Sequence, residues 1–300
     1  MAHPFLHYDV FTSEPLTGNQ LAVFPDGAGL SSEQMQTIAR EMNFSESTFI
    51  LPAEESGTDV RMRIFTPRLE MPMAGHPTIG STFALAYSGV ISAGRSRFVF
   101  GLNAGPTPVD LAWNDGQLAF AWMTQRNPEF GPVVADRAGA AAVLGLEVDD
   151  LHQRLPVQEI SCGVPFMFIP LRDRDTVDRA AVDENARRRF SGSTPIGHAL
   201  FLFSVSAPGA DETVYSRMLA PTFGVREDPA TGAASGPLGC YLVQHGVVSG
   251  AAAQSIVSAQ GVAMKRPSRV HISIDGTASA ITRVRVGGMA VLVGKGELLV

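Results

Sequence analysis

The 300-residue sequence predicts an α+β protein made of two related halves, 1–125 and 126–300. Three observations carry this. Runs of β-branched and aromatic residues are short and separated by Gly, Pro, Asn and Asp, the pattern of strands joined by tight turns. Each half contains one helix that is apolar on every side, which predicts a helix enclosed by other elements. The order of strands, turn and enclosed helix in the first half then returns in the second.

In the first half, "HYDVFTSEPLTGNQLAVF" reads as a strand, a turn and a second strand. "LSSEQMQTIAREMN" turns helical: Ser31 and Gln34 have capping-box spacing, and Met35, Ile38, Ala39 and Met42 form one stripe that should pack on a sheet. "STFILPA" and "VRMRIFTP" are strand-like, and "HPTIGSTFALAYSGV" is the enclosed helix, ending near Gly89. "SRFVFGLNAGPTPVDLAWNDGQLAFAWMTQ" gives short strands divided by turns.

In the second half, "VVADRAGAAAVLGL" is helical and "LPVQEISCGVPFMFIPL" is two strand-like runs around Gly163 and Pro165. "HALFLFSVSA" is a strong strand. "TFGVREDPATGAASGPLGCYLVQHGVV" offers a tight turn into a second small-residue apolar helix ending near Gly246. The tail, "RVRVGGMAVLVGKGELLV", reads as a hairpin able to complete either half.

Composition excludes several classes. With 45% hydrophobic and 17% charged residues the chain can bury a sizeable interior. Twenty-three basic against twenty-nine acidic residues give a net charge of −6, and no Lys/Arg cluster tracks a phosphate backbone or an anionic membrane, so no nucleic acid or membrane partner is expected. "MAHPFLHYDVF" lacks the basic start and unbroken apolar core of a signal peptide, and no stretch is long enough to span a bilayer, which predicts a cytoplasmic protein. Cys162 and Cys240 show no C-x-x-C spacing and read as small buried hydrophobes. No H-E-x-x-H, paired-Cys or Asp-rich pattern argues for a metal. "ATGAASG" lacks the spacing and Lys of a phosphate loop, so no nucleotide cofactor is expected.

Three residues could carry chemistry. His76-Pro77 and Asp228-Pro229 each stand where a turn enters an enclosed helix; proline suits the first helical position and the residue before it the cap. If the halves face each other, both positive helix ends converge on a cleft suited to a carboxylate-bearing substrate. Taken singly, Asp228 reads as a helix cap before it reads as a functional acid, and His76 is either a loop residue or a functional one; the pairing of two turns raises the functional reading. Glu46, in "NFSESTFILP", is disfavoured in a strand and is either a half-exposed residue in water or, in a cleft, a competent proton carrier.

"DVFTSEPLTGNQLAVF", "NFSESTFI", "RIFTPRLEMPMAGHPTIGS", "REDPATGAASG" and "VRVGGMAVLVGKGELLV", in this order over the whole length, resemble the PhzF-like phenazine-biosynthesis isomerases. The resemblance implies a diaminopimelate epimerase-like fold: two pseudo-symmetric domains, each a curled, mostly antiparallel sheet around a central helix, with the active site between them. It implies a homodimer and an isomerase that needs no cofactor and moves a proton on a small carboxylic acid through one glutamate, matched by Glu46. Gly75 and His76 match the family's Gly-His pair and Asp228 its second-domain acid, with Gly232, Ala233 and Ser235 beside it on the substrate.

Two positions depart from the family pattern. Ala233 stands where a Ser is usual, and Ser235, two residues on, is the hydroxyl that could replace it; Gln20 stands where "GNP" is usual. Two-thiol racemases of the same fold carry "MCGH" where this chain has Met73-Ala74-Gly75-His76, and no Cys occupies "DPATG" either, which excludes their chemistry. A non-catalytic protein that binds a small anion at the same residues is the alternative.

Overall fold

The computed structural model describes residues 2–191, 199–221 and 225–300, with the side chain of Ser191 left aside. His198, at the start of the predicted strand, and 222–224, at the start of the predicted turn before Asp228, lie outside the described residues. The chain divides into two compact units, 1–125 with 285–300, and 126–284.

The first unit comprises β1 (Ala2–Val10), β2 (Asn19–Phe24), α1 (Ser32–Met42), β3 (Glu46–Pro52), β4 (Val60–Phe65), β5 (Glu70–Met71), α2 (Gly75–Tyr87), β6 (Arg97–Leu102), β7 (Gly105–Asn114) and β8 (Gln117–Gln125). The second comprises β9 (Glu129–Val133), α3 (Arg137–Ala142), β10 (Gln158–Ser161), β11 (Pro165–Pro170), α4 (Arg174–Arg179), α5 (Glu184–Ser191), β12 (Ala199–Val205), β13 (Val214–Ala220), β14 (Val225–Asp228), α6 (Gly232–Gln244), β15 (Ile256–Gln260) and β16 (Ser268–Thr277). β17 (Ala280–Gly288) crosses the division, and β18 (Ala290–Leu299) pairs antiparallel with β1 in the first unit.

The two units repeat one pairing scheme. β1–β2 is antiparallel, β2–β3 parallel, β3–β4 and β4–β5 antiparallel, β4–β6 parallel and β6–β7 antiparallel. The same signs recur in the same order for β10–β11, β11–β12, β12–β13, β13–β14, β13–β15 and β15–β16. Register therefore equates positions: Leu21 pairs with Glu46 as Phe166 pairs with Ala199, and Ile64 pairs with Met71 as Met218 pairs with Asp228.

Within each unit successive strand residues point to opposite sides, and the strands are covered on both faces. In the second unit Phe166, Phe168, Phe201 and Phe203 pack with Leu238 and Tyr241 of α6, whereas Met167, Ile169, Leu200 and Leu202 pack with Ala140 of α3 and Val177 of α4. In the first, α1 lays Met35, Ile38 and Ala39 against Ala22, Phe24, Phe49 and Phe65, and its capping box is formed as Ser31 and Gln34 predict.

α2 is buried from Gly75 to Leu85, and in α6 every residue from Ala234 to Val243 is buried. Packing this tight leaves no room for side chains at some positions: a Cβ on Gly80 would lie 2.5 Å from Leu21 Cδ2. Enclosure, rather than any amphipathic stripe, holds these helices; wholly burying one Leu or Ile is worth about 1.5–3 kcal/mol. Among the described residues no helix is long and apolar enough to cross a membrane.

Candidate active site

Neither enclosed helix begins at its proline: α2 starts two residues before Pro77 and α6 three residues after Pro229. α2 has Ala74 as its N-cap and Gly75 as its first residue, so His76 is second and Pro77 third. α6 has Thr231 as its N-cap and begins at Gly232, three residues after Pro229. Asp228 is therefore not a cap. It closes β14, tied into the ladder opposite Met218, and a three-residue turn separates it from the helix. By register the counterpart of Asp228-Pro229 is Met71-Pro72, and the counterpart of His76 is Ala233.

Neither N-cap side chain bonds the first turn. Ala74 has no oxygen to offer, and the Thr231 hydroxyl is directed elsewhere. A helix end whose cap side chain makes no such bond still carries the positive end of the helix dipole, which favours an anionic oxygen nearby.

His76 is 3% exposed, and two side chains face Nδ1 of its ring. Nδ1 lies 3.2 Å from Glu46 Oε2 and 3.3 Å from Asn19 Nδ2. Asn19 is itself oriented by Ser45, whose hydroxyl donates to Asn19 Oδ1 at 2.7 Å. With that oxygen engaged, the amide nitrogen faces the ring, so Nδ1 lies between an amide that only donates and a carboxylate that, when ionised, only accepts: Nδ1 accepts from Asn19 with the ring proton on Nε2, or donates to Glu46 with the proton on Nδ1. Nε2 is buried without a hydrogen-bond partner.

Burial pushes the His76 imidazole down to about 3, an effect that the nearby Gln20 main chain only partly offsets. The ring is thus neutral at ordinary pH, and its approach to Glu46 is not an ion pair. Glu46, with its side chain 13% exposed, opens β3 at the end of a parallel pairing with β2 rather than interrupting a strand. A positive φ at Gly18, where any Cβ would strike the Val10 carbonyl, turns the chain just before Asn19.

In the second unit Asp228 Oδ2 accepts the Thr231 hydroxyl at 2.6 Å. Gln260, wholly buried, binds this turn three times: its Nε2 donates to the Asp228 carbonyl at 2.7 Å and to Thr231 Oγ1 at 3.0 Å, and its Oε1 accepts the Thr231 N–H at 3.0 Å. Ser235 donates to the Thr231 carbonyl at 2.9 Å and is completely buried, as Thr78 donates to the Ala74 carbonyl at 2.7 Å. Its hydroxyl is a back-bond within the helix, whereas Ala233 is half-buried at the second helical position.

The structure thus brings Glu46 and His76 together with Asn19, and gathers Thr231 and Gln260 around Asp228. Sequence reasoning missed Asn19, Ser45, Thr231 and Gln260. Asn19 stood in view within "GNQ" but read only as turn punctuation; nothing local marks Gln260. Cys162 and Cys240 are both buried and free, away from the positions Ala74 and Thr231 that a two-thiol enzyme would use. Among the described residues no cluster of His, Cys, Asp and Glu could hold a metal ion.

Comparison with known proteins gives these groups a family. The sequence matches the family described as phenazine biosynthesis-like protein over residues 8–296. It is 35% identical over 297 residues to a trans-2,3-dihydro-3-hydroxyanthranilate isomerase of Pseudomonas fluorescens, covering 99% of each chain. It is 33% identical over 304 residues to an uncharacterized isomerase of Mesorhizobium japonicum, covering 99% of this chain and 98% of that one. The crystal structure of a PhzF-family phenazine biosynthesis protein from Bacillus anthracis superposes with a TM-score of 0.88 at 27% identity, covering 100% of both chains. A probable proline racemase from Agrobacterium radiobacter shares the fold, with a TM-score of 0.68 at 13% identity over 99% of this chain and 93% of that one. The fold is diaminopimelate epimerase-like, and the chain belongs to the PhzF family of phenazine biosynthesis-like isomerases.

Proposed function

We propose that this isomerase moves a proton between two carbons of a small, unsaturated carboxylic acid, with Glu46 as the carrier. Glu46 takes the proton from an activated carbon and returns it to another on the same face, so that atoms and charge balance without a cofactor. The neutral His76 ring, with Nδ1 beside Glu46, helps to place that carboxylate against the substrate as negative charge develops. The mouths at Gly75 and Gly232 suit anionic oxygens, and Asp228 suits a hydroxyl or amino group; Ala233, with no hydroxyl, narrows what can bind there. Assembly as a homodimer completes the reading.

The observation that carries it is the difference between the repeats. Positions equivalent to Asn19, Glu46 and His76 are Val164, Ala199 and Ala233. The duplication supplies one acid–imidazole pair, which favours chemistry through a single carboxylate. Trans-2,3-dihydro-3-hydroxyanthranilate, the substrate named for the Pseudomonas fluorescens relative, is the compound to try first. NMR in D₂O should show its isomerisation with deuterium entering at carbon, and Glu46→Gln should slow this about 10²–10⁴-fold while leaving binding largely intact. Binding without deuterium uptake would instead favour a non-catalytic anion-binding protein, and full turnover by Glu46→Gln would overturn the role given to Glu46.

A further inference from the structure

The strand arms that deliver the two helix mouths are held by the same device. Arg63 of β4 donates from Nε to Glu70 Oε1 at 2.8 Å and from Nη2 to Oε2 at 2.6 Å. Arg217 of β13 donates from Nε to Glu227 Oε1 at 2.8 Å and from Nη2 to Oε2 at 2.8 Å. Both are two-pronged forks, the geometry in which a guanidinium fixes a carboxylate's orientation as well as its distance. Register makes the two arginines equivalent, one residue before Ile64 and one before Met218.

We propose that Arg63–Glu70 and Arg217–Glu227 are paired positioning clamps that set the mouths of α2 and α6 for the reaction. First, each arm is weakly held by its own backbone: β5 has two residues and two paired positions, and β14 pairs with β13 through an irregular register. The side-chain fork is the strong tie. Second, the clamped glutamate lies four residues before the N-cap in both units, Glu70 before Ala74 and Glu227 before Thr231. The path from arginine to glutamate is nevertheless seven residues in one unit and ten in the other. The connection, Met71 against Asp228 and His76 against Ala233 all differ, yet the carboxylate arrives at the same fork.

Third, each arginine continues outward to the helix on the far face of its sheet. Arg63 Nη1 donates to Ser32, the first residue of α1, at 2.9 Å. Arg217 Nη1 donates to the carbonyls of Val177, Asp178 and Ala180 at the end of α4, at 2.8, 3.0 and 3.0 Å. Sheet, outer helix and arm are thereby joined at one guanidinium. Side-chain exposures of 18% and 25% in the first pair and 11% and 15% in the second keep both forks largely shielded from water. Because a misplacement of about 1 Å in a reacting group can cost on the order of 10²-fold in rate, an arm pinned this way is worth more to catalysis than to folding.

The inference rests on the proposed site, so its test has an arm that needs no substrate. In protein carrying ¹³C,¹⁵N-histidine, the His76 ring, faced by Asn19 and Glu46, is titrated by NMR in the wild type, Glu70→Gln, Arg63→Lys and the exchanged pair Arg63→Glu/Glu70→Arg. Release of the arm admits water to His76: its midpoint should rise by a unit or more in Glu70→Gln and Arg63→Lys and return at least halfway in the exchanged pair, while circular dichroism shows the fold retained. In parallel, Glu227→Gln should lower kcat/KM on trans-2,3-dihydro-3-hydroxyanthranilate about tenfold or more, with partial rescue by Arg217→Glu/Glu227→Arg. Variants that melt earlier but keep the wild-type His76 midpoint, and kcat/KM within twofold per folded molecule, would show the forks to be structural only and overturn the proposal. If the wild type does not turn this compound over, the substrate reading fails, and the His76 midpoints still decide for or against the clamp. If Arg63→Lys does not fold, Glu70→Gln, which keeps side-chain volume, carries the first arm.

Discussion

Thr78 and Ser235 make the same hydrogen bond: each hydroxyl returns to the carbonyl of its helix's N-cap four residues earlier, Ala74 at 2.7 Å and Thr231 at 2.9 Å. Two residues of different type, 157 positions apart, thus mark one register in the two copies of a duplicated fold. Ser235 is thereby engaged inside the helix, leaving Ala233 as the nearer neighbour of any ligand at this mouth. Ser235→Ala should change KM less than twofold, since it removes a back-bond alone. Ala233→Ser places a hydroxyl at a half-buried position of the first turn and should alter KM severalfold for a substrate bearing a second polar group. Steady-state kinetics of both variants on one substrate separate the two positions, and equal effects would reject this division.

His76 makes stability depend on pH with a definite sign. Its midpoint is about 3 in the folded protein against an ordinary value of 6.5, so between these limits the unfolded chain binds a proton that the folded chain refuses. Stability from this group is fully present above about 6.5 and falls as pH drops towards 3. From pH 7 to pH 4.5 the loss from this one group is about 2–3 kcal/mol. Urea denaturation of wild type and His76→Asn at both pH values should show the acid-side loss smaller in the variant by about that amount. Parallel pH dependence in the two proteins would refute a neutral buried ring.

Asn19 and Glu46 together fix which ring nitrogen carries the proton. The Asn19 amide, whose oxygen Ser45 holds, favours the Nε2–H form, whereas an ionised Glu46 favours Nδ1–H. ¹⁵N NMR of the wild type reads that balance. Asn19→Asp removes the donor, shifts the balance towards Nδ1–H and raises the histidine midpoint, as an adjacent carboxylate favours the protonated ring. An unchanged tautomer and midpoint in that variant would place Asn19 outside the constellation.

How much of this was legible in the sequence depended on range. α1 could be read because its capping box and its stripe of Met35, Ile38 and Ala39 are local signals that tertiary structure left intact. The enclosed helices could be recognised from uniform apolarity, but their starts could not be placed. The rule that favours proline at the first helical position suggested Pro77 and Pro229, whereas pairing with Met218 holds Asp228 in a strand, and Gln260, 29 residues beyond Thr231, fixes the turn that follows. "VVADRAGAAAVLGL" gave a helix of which only Arg137–Ala142 forms, with Asp136 capping it and Gly145 at φ 63 soon after its end. Glu46 and His76 were accessible through a whole-length resemblance; that Asn19 binds His76 across 57 residues was not, because a turn asparagine and a site asparagine look alike until the strands are paired.

The cysteines provide the last expectation. A two-thiol mechanism needs thiolates on the substrate, yet Cys162 and Cys240 are buried in the second unit's core among Phe166, Phe201 and Leu238. Hydrogen bonding to Cys240, followed by burial, pushes the Cys162 thiol far above its usual range, the opposite of what a nucleophile or base requires. Replacing both by Ala should leave kcat within about twofold while costing on the order of 1–3 kcal/mol of stability from lost packing. Thiol-blocking reagents should likewise act on the protein only as fast as it unfolds. Rapid modification in the native state, with loss of turnover, would return thiol chemistry to contention and displace Glu46 from its role as the proton carrier.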